Sequence, residues 1–227
     1  MFQIAVTDRW RATFPGSHVG VLLIGNVDNS RRITPLEQRK RELEAHLRQQ
    51  FAGFSRAALM ELEVLQAYRT YYKKFGQTYH VQLQLESVAR QGKSLPNVSP
   101  LVDANFAAEL ETLILTAGHD ADRLETPVTI DATHGGESFR QMNGAVRSLK
   151  SNDMMMSDNQ GIVCTILYGQ DARTPISPHT RRALYVAYAP AGVPRAAVQQ
   201  QLDTIRANVL LVAPAAEVEM TEIFAAT

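Results

Sequence analysis

Residues Gly161 to Arg182 read GIVCTILYGQDARTPISPHTRR. The stretch opens as an apolar strand, Ile162 to Leu167, and turns polar at Gly169, Gln170, Asp171, Arg173 and Thr174. Pro175 and Pro178 punctuate a loop, and Arg181-Arg182 step into a second apolar run. A buried strand that delivers a glycine, an acid, a base and hydroxyls at its end is a common way to build a site on a rigid scaffold. The same spacing equally describes a strand followed by a loop with a surface salt bridge, and the stretch alone leaves both open.

Working outward, the strands cluster around this stretch. Residues 128–132, 137–141, 153–157, 162–168 and 183–189 read as strands joined by Gly, Asn and Asp turns. Upstream lies a helical segment. Thr34-Pro35-Leu36-Glu37 is a helix start, with Leu36, Leu43, Leu47 and Phe51 as its apolar stripe. Ser55 opens a second helix to about Lys74, ended by Gly76. A third covers residues 82–91. A fourth opens at Ser99-Pro100, with Val102, Phe106, Leu110, Leu113 and Ala117 as its buried stripe and Gly118 as its stop. Before them, residues 2–7 and 19–27 read as strands. After them, Pro194 begins a helix with Val198, Leu202, Ile205 and Val209 inward, and Pro214 to Phe224 reads as one more short helix. Strands, four helices, strands and a helix give an α+β fold with a mixed or mainly antiparallel sheet. With no repeat, low-complexity tract or linker, residues 1–227 read as a single domain.

Composition narrows the function. The 227 residues are 45% hydrophobic, enough for one sizeable core. Lys+Arg and Asp+Glu are equal at 23 each, which argues against non-specific coating of nucleic acid but allows a local basic face. A single cysteine, Cys164, forbids an intramolecular disulfide and fits a cytoplasmic protein. No apolar run is long enough for a membrane span. The chain carries no G-x-S-x-G elbow, phosphate loop, H-E-x-x-H or paired Cys. Cys164, inside an apolar strand, reads as an inert thiol. The scattered histidines offer no third ligand, so neither a metal nor another cofactor is expected. The remaining polar groups beside apolar segments, among them Asp103, Asn105, Asp120, Glu137, Asp171, Arg173 and Thr174, suggest together a polar pocket without a covalent nucleophile. On the second helix Tyr68 and Tyr72 are four apart, as are Arg69 and Lys73. These rows suit a phosphate-and-base contact, and equally snorkelling cations beside core aromatics.

Three ordered sets of residues resemble a known family. The first is Tyr68-Arg69, Tyr72-Lys73 and Phe75-Gly76. The second is Gly92-Lys93, Leu95-Pro96 and Leu101-Val102-Asp103 with Asn105. The third runs from Asp120, with Asp122 to Leu124, through Gly136-Glu137 and Phe139 to Gly161-Ile162-Val163-Cys164, Asp171, Arg173-Thr174, Ile176 and Thr180-Arg181. From about Val19 to Tyr188 their order is similar to that of the B3/B4 domain, the tRNA-editing domain of the phenylalanyl-tRNA synthetase β chain, and of its freestanding relatives. The resemblance implies a central pocket that receives the aminoacylated 3′ end of a mischarged tRNA. It implies a deacylase acting in trans, with canavanine on the arginine tRNA as one example of a substrate in that group. On this reading Asp171, Glu137 and Thr174 are catalytic. Asp103, Asn105, Asp120 and Arg173 bind substrate, and Tyr68, Arg69 and Lys73 bind tRNA. A non-catalytic tRNA-end or amino-acid-binding module is the alternative. The chain departs from the freestanding pattern at Gln77-Thr78-Tyr79-His80-Val81-Gln82 and at Thr165-Ile166-Leu167-Tyr168, both at the expected pocket rim.

Overall fold

The computed structural model describes residues 2–30 and 34–227. Strand β1 (Ile4–Val6) leads into helix α1 (Asp8–Thr13) and strand β2 (His18–Gly25). Five helices follow: α2 (Thr34–Gln50), α3 (Arg56–Met60), α4 (Glu63–Lys73), α5 (His80–Ala89) and α6 (Pro100–Thr112). Strands β3 (Thr116–Asp120), β4 (Val128–Ala132), β5 (Ser138–Arg140), β6 (Val146–Ser148), β7 (Met154–Asp158), β8 (Gly161–Thr165), β9 (Gly169–Gln170) and β10 (Ala183–Ala189) come next, then helix α7 (Arg195–Val212) and strand β11 (Glu217–Ala225). The architecture is α+β, as the order of elements predicts.

The strands form two main sheets. One is five-stranded, β1-β4-β7-β8-β9, mixed because β1 runs parallel to β4. The other is four-stranded and antiparallel, β11-β2-β10-β3. Strands β5 and β6 form a separate hairpin. Helix α7 lies directly on β2: a Cβ at Gly20 would stand 2.6 Å from Val198 Cγ1. Val198, Leu202, Ile205 and Val209 face inward as their spacing predicts.

The tyrosines of α4 join the sheets. Tyr68 is fully buried and stacks on Tyr79 with ring centroids 4.1 Å apart. Its hydroxyl donates to Tyr188 O of β10 (2.5 Å) and accepts from Leu115 N (2.9 Å). Tyr72 donates to Ile166 O just after β8 (2.9 Å), on the other sheet. Buried hydroxyls need partners, and here each takes a backbone group that neither sheet ladder uses.

Several boundaries differ from the sequence reading. The tail from Pro214 to Phe224 is not a helix but holds most of strand β11. The apolar β2 has two open edges; β10 covers one, and the tail supplies the other set of backbone partners. The period-two alternation Glu217-Val218-Glu219-Met220 carries that signal. Ser55 does cap a helix, accepting from Ala58 N (3.1 Å), but Leu62 turns extended (ψ 127°) and divides the segment into α3 and α4. Helix α6 stops at Thr112, with Leu113 left-handed (φ 63°), and Gly118 belongs to β3 rather than to a cap. Strand β8 ends at Thr165, whose hydroxyl accepts from Tyr168 N (3.0 Å) and folds Ile166–Tyr168 into a turn. Helix α1, which the sequence reading lacks, is capped by Thr7, whose Oγ1 accepts from Trp10 N (3.0 Å).

Candidate functional site

A cavity of about 490 Å³ opens between α6, the β3–β10 side of one sheet and the β8–β9 turn of the other. One face of α6 supplies Val102, Asn105, Phe106 and Glu109, which follow one another at helical spacing. The core-facing side of that helix is instead Leu101, Ala104, Ala108 and Leu110. The stretch quoted first lines the opposite wall from Cys164 to Gln170 and forms the rim at Pro175 and Ile176. Val98, His80 and Met142 stand at the mouth, and Val98 and Met142 are solvent-exposed. Gly118 is bare for a reason: a Cβ there would come within 2.9 Å of Ile176 Cδ1, which packs over it as part of the rim.

The polar groups inside are few, and two of them keep a buried atom without a hydrogen-bond partner. Asn105 Nδ2 donates to Thr116 O (2.9 Å), whereas its Oδ1 is buried with no partner. Glu109 Oε1 accepts from Thr116 N (2.6 Å). Burial nonetheless pushes the Glu109 carboxyl up to about 8, so it is protonated at neutral pH. The buried Tyr188 hydroxyl stands beside the Cys164 thiol but makes no hydrogen bond of acceptable geometry. Burial also pushes the Cys164 thiol far up, which rules out a thiolate nucleophile at neutral pH. His80 has its outer edge in solvent, and the packing around it still lowers its pKa.

Of the residues given a catalytic, substrate-binding or tRNA-binding role from sequence, Asn105 alone lines this cavity. Asp171 and Thr174 lie beneath its rim. Thr174 Oγ1 donates to Asp171 Oδ1 (2.5 Å) and thereby accepts from His119 Nδ1 (2.7 Å); Thr174 N also donates to Asp171 Oδ1 (3.0 Å). Burial, with the Arg173 charge, lowers His119 to about 3 and keeps it neutral. Gln170, which does line the cavity, donates to Thr174 O (2.9 Å). Asp171 and Thr174 therefore shape the wall rather than face the cavity. Arg173 is spent on Asp158, with two contacts of 2.8 and 2.9 Å, and on Asp171 at 3.5 Å.

The other acids are committed elsewhere. Asp103 holds the buried Lys40 (2.9 Å) and accepts from Val98 N (2.8 Å) at the start of α6. Asp120 accepts from Thr180 Oγ1 (2.7 Å). Glu137 staples its own turn, accepting from His134 N and Gly135 N. Tyr68, read as a tRNA contact, is instead a buried staple whose bonded partners Tyr188 and Leu115 line the cavity. Arg69 and Lys73 are exposed, as a nucleic-acid contact requires.

Glu109, Tyr188, Thr116 and Gln170 were missed as site residues. The spacing Asn105–Glu109 on one helix face was the available signal for the first. Tyr188, inside an all-buried strand, offers none. Among the described residues no cluster of three or more His, Cys, Asp or Glu side chains gathers in metal-binding geometry. No helix there is long and apolar enough to cross a membrane.

The chain is similar to known proteins in three respects. The B3/4 domain family matches residues 66–208, a span that contains every cavity-lining residue. The phenylalanine–tRNA ligase β subunit of Leifsonia xyli subsp. xyli (strain CTCB07) is 27% identical over 110 residues, 48% of this chain and 13% of that protein. An N-terminal fragment of the phenylalanyl-tRNA synthetase β-subunit from Pyrococcus horikoshii aligns in structure over 98% of this chain and 50% of its own, with a TM-score of 0.49 and 10% identity. The chain thus spans half or less of either relative's length.

Proposed function

Since the chain belongs to the B3/4 domain family, we propose that it is an aminoacyl-tRNA deacylase acting in trans, which hydrolyses the ester of a mischarged tRNA held in the cavity. The observation that carries this reading is a largely apolar cavity of about 490 Å³ whose lining includes Asn105 and Tyr188, each with a buried polar atom, Oδ1 and the hydroxyl, that has no hydrogen-bond partner. Buried polar atoms without partners are costly, and a ligand that satisfies them recovers that cost on binding. On this reading the part of the ligand that reaches them carries a hydrogen-bonding group. A non-protein amino acid such as canavanine meets that description.

An aminoacyl ester is already activated, so positioning and electrostatics suffice without a covalent nucleophile. The neutral Glu109 carboxyl donates a hydrogen bond to an oxygen that gains charge, with Asn105 Nδ2 fixing Thr116 beside it. His80, unprotonated at neutral pH, accepts the proton of the attacking water at the mouth. Asp171, Thr174 and Arg173 are positioning residues: they hold Gln170 and the Pro175 rim. Asp103 and Asp120 anchor the loops on either side of the cavity.

One observation favours the alternative, a binding module for a tRNA end or an amino acid: among the described residues the one acid that lines the cavity, Glu109, already accepts from Thr116 N. Hydrolysis of 3′-aminoacyl-adenosine esters separates the two. The enzyme reading expects turnover above the spontaneous rate. It also expects a loss of roughly 5- to 100-fold in kcat/KM for Asn105→Ala, the scale of one buried hydrogen-bond partner. Binding without turnover in the unaltered protein overturns the enzyme reading.

A further inference from the structure

A second concavity of about 660 Å³ lies among α3, α4, α5 and the α4–α5 turn. Its lining includes Arg56 from α3, Arg69 and Lys73 from α4, and Gln77 and Thr78 from the turn. Arg69 and Lys73 are exposed, one helical turn apart, and neither forms an ion pair among the described residues. Arg56 contacts Glu86 through Nε alone (3.1 Å), which leaves its two terminal nitrogens free. The one acid in the lining, Glu61, already accepts from Gln66 Nε2 (3.0 Å). Three cations stand against Glu61 in the lining and Glu86 beside Arg56, so the concavity keeps a net positive charge, carried by Arg69 and Lys73, in a chain whose net charge is zero.

The placement matters as much as the charge. Residues Gly76 to Tyr79 line this concavity, and the next residue, His80, lines the cavity described above. The two hollows are thus the two sides of one turn. A polymer whose end enters the cavity past His80 crosses that turn and runs directly into the basic hollow.

We infer that the α3–α4–α5 hollow is a seat for the phosphodiester backbone of an RNA strand whose 3′ end occupies the adjoining cavity, with Arg69, Lys73 and Arg56 as its phosphate contacts. This rests on the proposed reading of the cavity for the identity of the strand, and on the hollow's own charge for the seat. The contacts are to backbone, so they hold any acceptor end equally and leave amino-acid selection to the cavity. Guanidinium groups suit paired phosphate oxygens, and the Lys73 ammonium adds a point charge.

Affinity for uncharged tRNA tests the seat independently of any hydrolysis. Arg69→Glu/Lys73→Glu is compared with the unaltered protein and with Arg41→Glu/Arg206→Glu, an equal charge change at exposed positions outside the hollow. The expected result is a Kd raised about tenfold or more for the hollow variant, with its log Kd–log salt slope reduced by roughly 1.4 to 1.8 as two phosphate contacts are lost. The Arg41/Arg206 variant keeps the slope. A second readout uses the ester: hydrolysis of 3′-aminoacyl-adenosine stays unchanged in the hollow variant while that of the full aminoacyl-tRNA falls. Equal tRNA affinity and equal slope in all three proteins would overturn the seat. Failure of the unaltered protein to cleave either ester, with the affinity difference intact, overturns the deacylase reading and leaves the seat standing.

Discussion

Replacing Glu109 by Gln should change how stability depends on pH, and the direction follows from the cavity. Glu109 is buried at 3% exposure, and burial raises its carboxyl from the ordinary 4.5 to about 8. Between those two values the folded protein holds a proton that the unfolded chain releases. The folded state therefore loses ground as pH rises through this window. Below about 4.5 both states are protonated, and above about 8 both are ionised, so the effect is flat outside it. Each unit of pKa difference is worth about 1.4 kcal/mol, which makes the full span on the order of 5 kcal/mol. Gln keeps the volume and a carbonyl oxygen for the Thr116 N–H, now at 2.6 Å from Oε1, but cannot ionise. Urea unfolding at pH 5 and at pH 8 reads the difference. Glu109→Gln should match the unaltered protein within about 1 kcal/mol at pH 5 and exceed it by several at pH 8. The comparison cancels every other titrating group. Parallel stability profiles for the two proteins across this range would refute a neutral carboxyl in the cavity. It would also remove the proton donor from the proposed mechanism, which predicts that activity falls above about pH 8 in the unaltered protein alone.

Three further outcomes follow from named contacts. Asp103→Ala leaves the buried Lys40 ammonium with only the more distant Glu37 carboxylate (3.8 Å) and should cost about 3 kcal/mol in denaturant unfolding, whereas an exposed pair would cost almost nothing. Tyr68→Phe strands Leu115 N and Tyr188 O and should cost about 1–3 kcal/mol, with little change in tRNA affinity because the ring is buried. Cys164 should resist alkylation by iodoacetamide in the folded protein at pH 8 and react once unfolded, as read by mass spectrometry.

Much of the fold is written in local pattern. The runs at 128–132 and 183–189 match β4 and β10 residue for residue, because buried strands carry uninterrupted apolar or alternating sequence. The Ser55 cap and the fixed φ of Pro194 mark the starts of α3 and α7 locally. The site was less legible, because its logic is long-range. Asp103 looks like a free acid until Lys40, 63 residues away, is folded against it. Tyr68 shares a helical row with Tyr72 that suits stacking on bases, and only the packed sheets show that its hydroxyl binds two backbone groups across them. Asp171 and Thr174 stand in the stretch that does wall the cavity, yet satisfy each other and His119. What the stretch contributes to the cavity is its turn, Thr165 to Gln170, rather than its charges. The acid that matters, Glu109, sits on a helix where an acid ordinarily reads as solvated surface.

The central claim is ester hydrolysis in this cavity. Its most direct measurement is the rate of deacylation of a panel of tRNAs, each charged with its cognate or with a near-cognate or non-protein amino acid, canavanine on the arginine tRNA included. The account predicts release well above the spontaneous rate for at least one mischarged tRNA, sparing of the cognate ester, and loss of that activity in Asn105→Ala. Release at the spontaneous rate across the whole panel would contradict it.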